Sequence, residues 1–148
     1  MPVVMTIPEL DRFLAAEFPQ VFHPDSGLAI EALWERSCRV RQAFRDGHIR
    51  PGGTVSGPTM MALADFAMYV VLLSAIGPLG LVAVTINLNI NFLRRGSPGQ
   101  DVLAAARLLK LGKRLAVGEV NLLSGTLPDP IAHAISTYSI PNTYDFLR

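Results

Sequence analysis

The sequence predicts an α+β fold in which a curved antiparallel sheet wraps around one long, apolar central helix. Three observations carry that expectation. Residues 59–74, TMMALADFAMYVVLLS, contain no Gly or Pro and are apolar on nearly every side, as a helix enclosed by other structure must be. Four strand-like segments follow at 81–93, 101–111, 115–124 and 131–140, separated by the turn-rich stretches RRGSPGQ, GKR and GTLPDP. The 148 residues suffice for one real core but not for two, so residues 1–148 read as a single domain.

Along the chain, Thr6 stands as an N-cap before Ile7, Pro8 and Glu9, and Leu10, Phe13, Leu14 and Phe18 recur at helical spacing. A short amphipathic helix is expected over about 6–18. After HPDSG, the runs LAIEALWERS and RVRQAF alternate partly between apolar and charged residues, as a first hairpin of half-buried strands would. DGHIRPGGTVSGP, at 46–58, is crowded with Gly, Pro, Ser and Thr and reads as an irregular loop. It leads directly into the apolar helix, placed at about 58–75 and ended by GPLG. In the next strand Val84, Ile86, Leu88, Ile90 and Phe92 are expected to face the helix. Thr85, Asn87, Asn89 and Asn91 are expected to point away; Asn89 and its neighbours suit either a ligand or a solvated or intersubunit sheet face. No repeat or second domain interrupts this order, and the arrangement is that of the hotdog fold.

Composition narrows the function. Half the residues are hydrophobic and only 17% are charged, which leaves little polar surface to cover a monomer and favours a homo-oligomer. Thirteen Lys and Arg balance twelve Asp and Glu without massing, so nucleic-acid binding gains no support. Cys38, the one cysteine, has no internal disulfide partner and fits a reducing compartment; the opening MPVVMTIPELDRF lacks the pattern of a secretory signal. A cytoplasmic location is the expectation. Residues 66–86, about 21 without a charge, have the length of a membrane span, but Gly77, Pro78 and Gly80 break the run and the pattern beyond them turns to alternation. Two shorter elements, and no membrane span, are expected. His23, His48 and His133 have no metal-ligand spacing and no serine lies in a nucleophile elbow, so neither a metal nor a catalytic triad is expected.

Asp65 is the anomaly in the central helix, among Met61, Leu63, Phe66 and Met68. A carboxylate there must be paired, hydrated in a cleft or protonated, because burying a bare charge costs several kcal/mol. Two readings are open: a general base or nucleophile in a site with restricted water, or a helix-edge carboxylate facing water or an arginine. Gly57 lies where the helix N-terminus offers an unpaired N–H that can stabilise charge developing on a carbonyl oxygen, or it is a turn glycine. Pro58 beside it presets the first helical turn.

The stretch from Ser56, SGPTMMALADFAMY, resembles the motif of the PaaI-like (phenylacetate-degradation type) hotdog acyl-CoA thioesterases: HGG, four residues, then LAD. Leu63, Ala64 and Asp65 match in type and spacing, and INFLRRGSPGQDVLAAARLLKLGKR resembles the family's FLRP strand end, glycine turn and strand finishing in Gly-Lys. The likeness covers most of the chain from about Arg50 onward. It implies hydrolysis of an acyl-CoA thioester, with no cofactor beyond the coenzyme A of the substrate. Asp65 would be base or nucleophile and the Gly57 amide, from another subunit, would polarise the carbonyl. It further implies a site at a homodimer interface that admits the pantetheine arm, and dimers paired into a homotetramer. Arg94 and Arg95 would meet CoA phosphates, which guanidinium groups suit, or be solvated; Lys113 and Arg114 are a hairpin turn first and a phosphate contact second.

The chain departs from the family's pattern around the proposed catalytic group. Ser56 replaces the histidine, Pro58 the second glycine, and Arg50 falls where asparagine is frequent. Ser56 can still hydrogen-bond water or a carbonyl oxygen; Arg50 can contact the ligand or pair with Asp65, and such a pair would lower the carboxylate's pKa. These departures define the rival expectation, a non-catalytic acyl-CoA or lipid-binding hotdog protein. A hotdog dehydratase is less supported, because the loop lacks an Asp and His pair for moving protons at adjacent carbons.

Overall fold

The computed structural model describes residues 3–142, and its architecture is the hotdog fold expected from the sequence. Helix α1 (Ile7–Glu17) begins with a reciprocal cap: the Thr6 hydroxyl accepts the Glu9 N–H, and the Glu9 carboxylate accepts the Thr6 N–H. Strands β1 (Leu28–Trp34) and β2 (Ser37–Gln42) form the first hairpin. The long helix α2 (Gly57–Ile76) follows, then β3 (Val84–Phe92), β4 (Val102–Leu111), β5 (Leu115–Ser124) and β6 (Ala132–Ser139). All six strands join in one antiparallel sheet of order β1-β2-β4-β5-β6-β3.

Helix α2 lies against the concave face of the sheet, and Leu63, Met68, Val70, Val71, Leu72 and Leu73 are fully or almost fully buried. Each such side chain contributes roughly 1.5–3 kcal/mol by leaving water. The run that looked long enough for a bilayer is therefore mostly interior to the fold. Gly118 of β5 marks the closest approach: a Cβ there would lie 2.4 Å from Sδ of Met68 and 2.8 Å from the Arg107 carbonyl oxygen. The helix ends at Gly77 in a positive-φ conformation (81°), and a 3-10 turn through Val82 delays the next strand to Val84, three residues later than the alternation suggested.

Strand β3 differs from its expected register. A bulge at Ile86 interrupts its pairing with β6, so Thr85 stands opposite the buried Tyr138, whereas Leu88 and Ile90 stand opposite Ser136 and Ala134. One extra residue reverses the alternation. Thr85 turns toward the helix and Val84 away, the opposite of the uninterrupted pattern. β3 is also an edge strand, and Val84, Ile86 and Phe92 are at least half exposed.

Candidate active site

The carboxylate of Asp65 leaves the middle of α2 half-buried, at a cavity of about 310 Å³ walled by Phe18, Phe66, Tyr69 and Val84. Two hydroxyls converge on its Oδ1: Thr85 donates at 2.7 Å and Tyr138 at 2.6 Å. Oδ2 is thus the oxygen left for water or a ligand. Hydrogen bonds to a charged acceptor hold orientation as well as energy, so these hydroxyls fix the carboxylate's rotamer. Burial, and then the Asp65 charge, push the Tyr138 phenol well above its ordinary range; the same two causes push Tyr69 up to about 12. Tyr138 therefore keeps its proton and stays a donor at neutral pH, and Tyr69 donates to the Leu81 carbonyl at the end of the 3-10 turn. Neither Thr85 nor Tyr138 stood out in the sequence. Tyr138 closes an inward-facing series of small residues, Ala132, Ala134 and Ser136, but nothing local connects it to a residue 73 positions away.

The Gly57 end of α2 is built differently. Ser56 is the N-cap: its Oγ accepts the Thr59 N–H at 3.4 Å and shares a 2.9 Å hydrogen bond with the Thr59 hydroxyl. The residue in the histidine's place thus serves the helix start. Gly57 is the first helical residue, so its N–H has no intrahelical acceptor. It borders a cavity of about 300 Å³ that also gathers Arg50, Arg94 and Arg95, and the Phe92 ring lies 3.4 Å from where a Cβ on Gly57 would stand. Arg94 also donates to the Pro130 carbonyl, which holds the turn after β3 in place. Arg50 belongs to this cavity and not to that of Asp65, so the intrachain Arg50–Asp65 pair considered from the sequence does not form.

The remaining positions fall elsewhere. Pro58 lines a third cavity, of about 450 Å³, between the helix and the segment after α1. Asn89 is exposed on the outer sheet face with Asn87 and Asn91. Lys113 and Arg114 occupy the exposed β4–β5 turn, at the end of the sheet where Leu115 pairs with Ser139 and Ser139 with Val84. Arg94 and Arg95 lie beyond Phe92, at the opposite end. Among the described residues no group of His, Cys, Asp and Glu is placed to hold a metal ion.

Comparison with known proteins decides the family. Residues 52–129 match the model of the thioesterase superfamily. The chain belongs to the thioesterase superfamily. This thioesterase is 40% identical to a provisionally assigned thioesterase from a Silicibacter species, with 96% of each chain covered and a TM-score of 0.85. It is also similar to a variant of the phenylacetic acid degradation protein PaaI from Thermus thermophilus, at 25% identity, 88% and 99% coverage and a TM-score of 0.67. Zebra fish thioesterase superfamily member 2 shares the fold at 20% identity, 93% and 99% coverage and a TM-score of 0.79. No curated protein sequence matches. The PaaI-like resemblance read from the LAD motif is supported by these neighbours, and the chain is a thioester hydrolase.

Proposed function

We propose that this thioesterase hydrolyses acyl-CoA as a homodimer, each active site joining Asp65 of one copy to the Gly57 amide of the other. The observation that carries this reading is the separation of the two groups within one chain. Eight residues along α2 put them about 12 Å apart, too far to serve one thioester carbonyl. The edge strand β3 offers the remedy. Its outer edge pairs with no other strand among the described residues, and it exposes Val84, Ile86 and Phe92, so it is suited to meet a second β3. An antiparallel pairing about a two-fold axis brings the Val84 end of one copy to the Phe92 end of the other. Asp65, Lys113 and Arg114 of one chain then face Gly57, Arg50, Arg94 and Arg95 of its neighbour.

In that setting Asp65 takes a proton from water through Oδ2, and the resulting hydroxide attacks the thioester carbonyl. The Gly57 N–H receives the developing oxyanion. The C–S bond breaks, and the departing CoA thiolate recovers the proton from Asp65. Asp65 attacking the carbonyl itself, with loss of the CoA thiolate to leave a mixed anhydride that water then opens, is the other route; label found in the Asp65 carboxylate after a single turnover in heavy-oxygen water would establish it, since general-base catalysis puts none there. The three arginines at the Gly57 end receive phosphates of the coenzyme. A reducing cytoplasm suits the chain, whose one thiol, Cys38, is pushed up to about 12 by burial and donates to the Ala67 carbonyl.

The test uses two dead variants, Asp65→Asn and Gly57→Pro, the latter removing the N–H at a helix position that tolerates proline. Each alone should lose at least about a hundredfold in kcat. Co-expressed in equal amounts and exchanged at random, they should recover about a quarter of the wild-type activity, because half the dimers carry one intact site. No recovery from a proven heterodimer would refute the shared site. Light scattering on the same samples determines whether dimers pair further into a tetramer.

A further inference from the structure

The 450 Å³ cavity adjoins the Asp65 cavity. The two share Val21, Ala62 and Phe66, and they follow one another along a single face of α2: Pro58, Thr59 and Ala62 in one, then Ala62, Asp65 and Tyr69 in the other. Spacings of three and four residues align the two as a groove along that face, with the segment after α1, from Phe18 to Ser26, as the opposite wall. Its character changes along its length. Around Asp65 the wall is Phe18, Phe66, Tyr69 and Val84; toward Pro58 it is His23, Asp25, Arg45 and His48. Ala62, small and exposed, forms the saddle between them.

At the far end His48 borders the cavity with its Nδ1 enclosed, so the charged groups there that a ligand can reach are the exposed Arg45 and Asp25. The charges at this end, Arg45 and Asp25, are opposite, so an anion would face Asp25 and a cation would face Arg45. A neutral hydroxyl, which both donates and accepts, is compatible with both. From Asp65 to Pro58 is seven residues of helix, about 10 Å, or roughly eight extended C–C bonds.

On the thioesterase reading of Asp65, we infer that the groove selects a medium-length acyl thioester hydroxylated at its far end, whose chain crosses Ala62 to place that hydroxyl between Arg45 and Asp25. Ala62 sets how far a chain reaches, and Arg45 supplies a charged donor to the hydroxyl oxygen.

The experiment compares kcat/KM for butyryl-CoA, octanoyl-CoA and 8-hydroxyoctanoyl-CoA. Wild type should prefer the hydroxylated chain over octanoyl by roughly tenfold, the value of one hydrogen bond to a charged group. Arg45→Gln should bring that ratio near one, and Arg45→Lys should restore part of it. Ala62→Leu should lower the octanoyl-to-butyryl ratio by about tenfold, by filling the saddle. Equal rates for the two eight-carbon substrates, or an octanoyl-to-butyryl ratio untouched by Ala62→Leu, would overturn the inference while leaving the thioesterase reading standing. Silence toward all three substrates would overturn both.

Discussion

At residue 65 the central helix meets two phenols, a threonine hydroxyl and aromatic walls; eight residues earlier it meets three arginines, a bare backbone amide and the Phe92 ring. The first environment holds one carboxylate in one orientation. The second is open and positive, with its helix N-terminus unpaired except where Ser56 caps Thr59. On the proposed function the first end supplies proton transfer and the second charge stabilisation and phosphate contacts; they lie about 12 Å apart along one helix, and a two-fold assembly is what joins them.

Three perturbations probe this contrast. The largest effect is expected at the Asp65 end. Thr85→Val removes one of the two hydroxyls on Oδ1 and should lower kcat by roughly tenfold with little change in KM, since a loosely held carboxylate still allows binding. Thr85→Ser should restore most of the rate; a KM effect in place of a kcat effect would show that Thr85 touches substrate instead of positioning Asp65.

At the Gly57 end the expected signature is the converse. Arg94→Gln combined with Arg95→Gln should raise KM for acyl-CoA about fivefold, in a salt-dependent manner, and leave kcat within twofold. Acyl-pantetheine, which lacks the nucleotide, should show no such rise. An equal loss with both substrates would remove these arginines from phosphate recognition.

The smallest effect concerns stability. Burial and the Asp65 charge raise the Tyr138 pKa, so the folded state holds that proton more tightly than the unfolded chain does. This contribution is complete below about pH 10, the ordinary phenol value, and is lost as pH rises beyond it. Tyr69 acts in the same direction. The melting temperature of wild type should therefore fall between about pH 10 and about pH 12, and the fall should be shallower in Tyr138→Phe. Parallel slopes would mean that Tyr138 is not the group being titrated.

Much of this molecule was legible in its sequence because the signals are local. The Thr6 helix start, the Gly57-Pro58 helix start, the all-round apolarity of α2 and the alternation of β4 and β5 each depend on residues within a few positions of one another. Asp65 was conspicuous for the same reason, as a charge in an apolar helix. Local reasoning failed where one residue changed the count: the bulge at Ile86 reversed the face of Thr85 and turned an outward threonine into a hydrogen-bond donor to Asp65.

Periodicity and hydrophobicity, set by steps of two to four residues along the chain, were enough to specify the elements and the odd carboxylate. What surrounds that carboxylate was settled by packing alone. The fold brought Thr85 and Tyr138, 20 and 73 residues away, to one oxygen, moved Arg50 to the opposite end of the helix, and set two cavities on either side of Ala62. Those meetings depend on strand order, a bulge and the packing of α1 over α2, and none of these leaves a periodic trace in the amino-acid sequence.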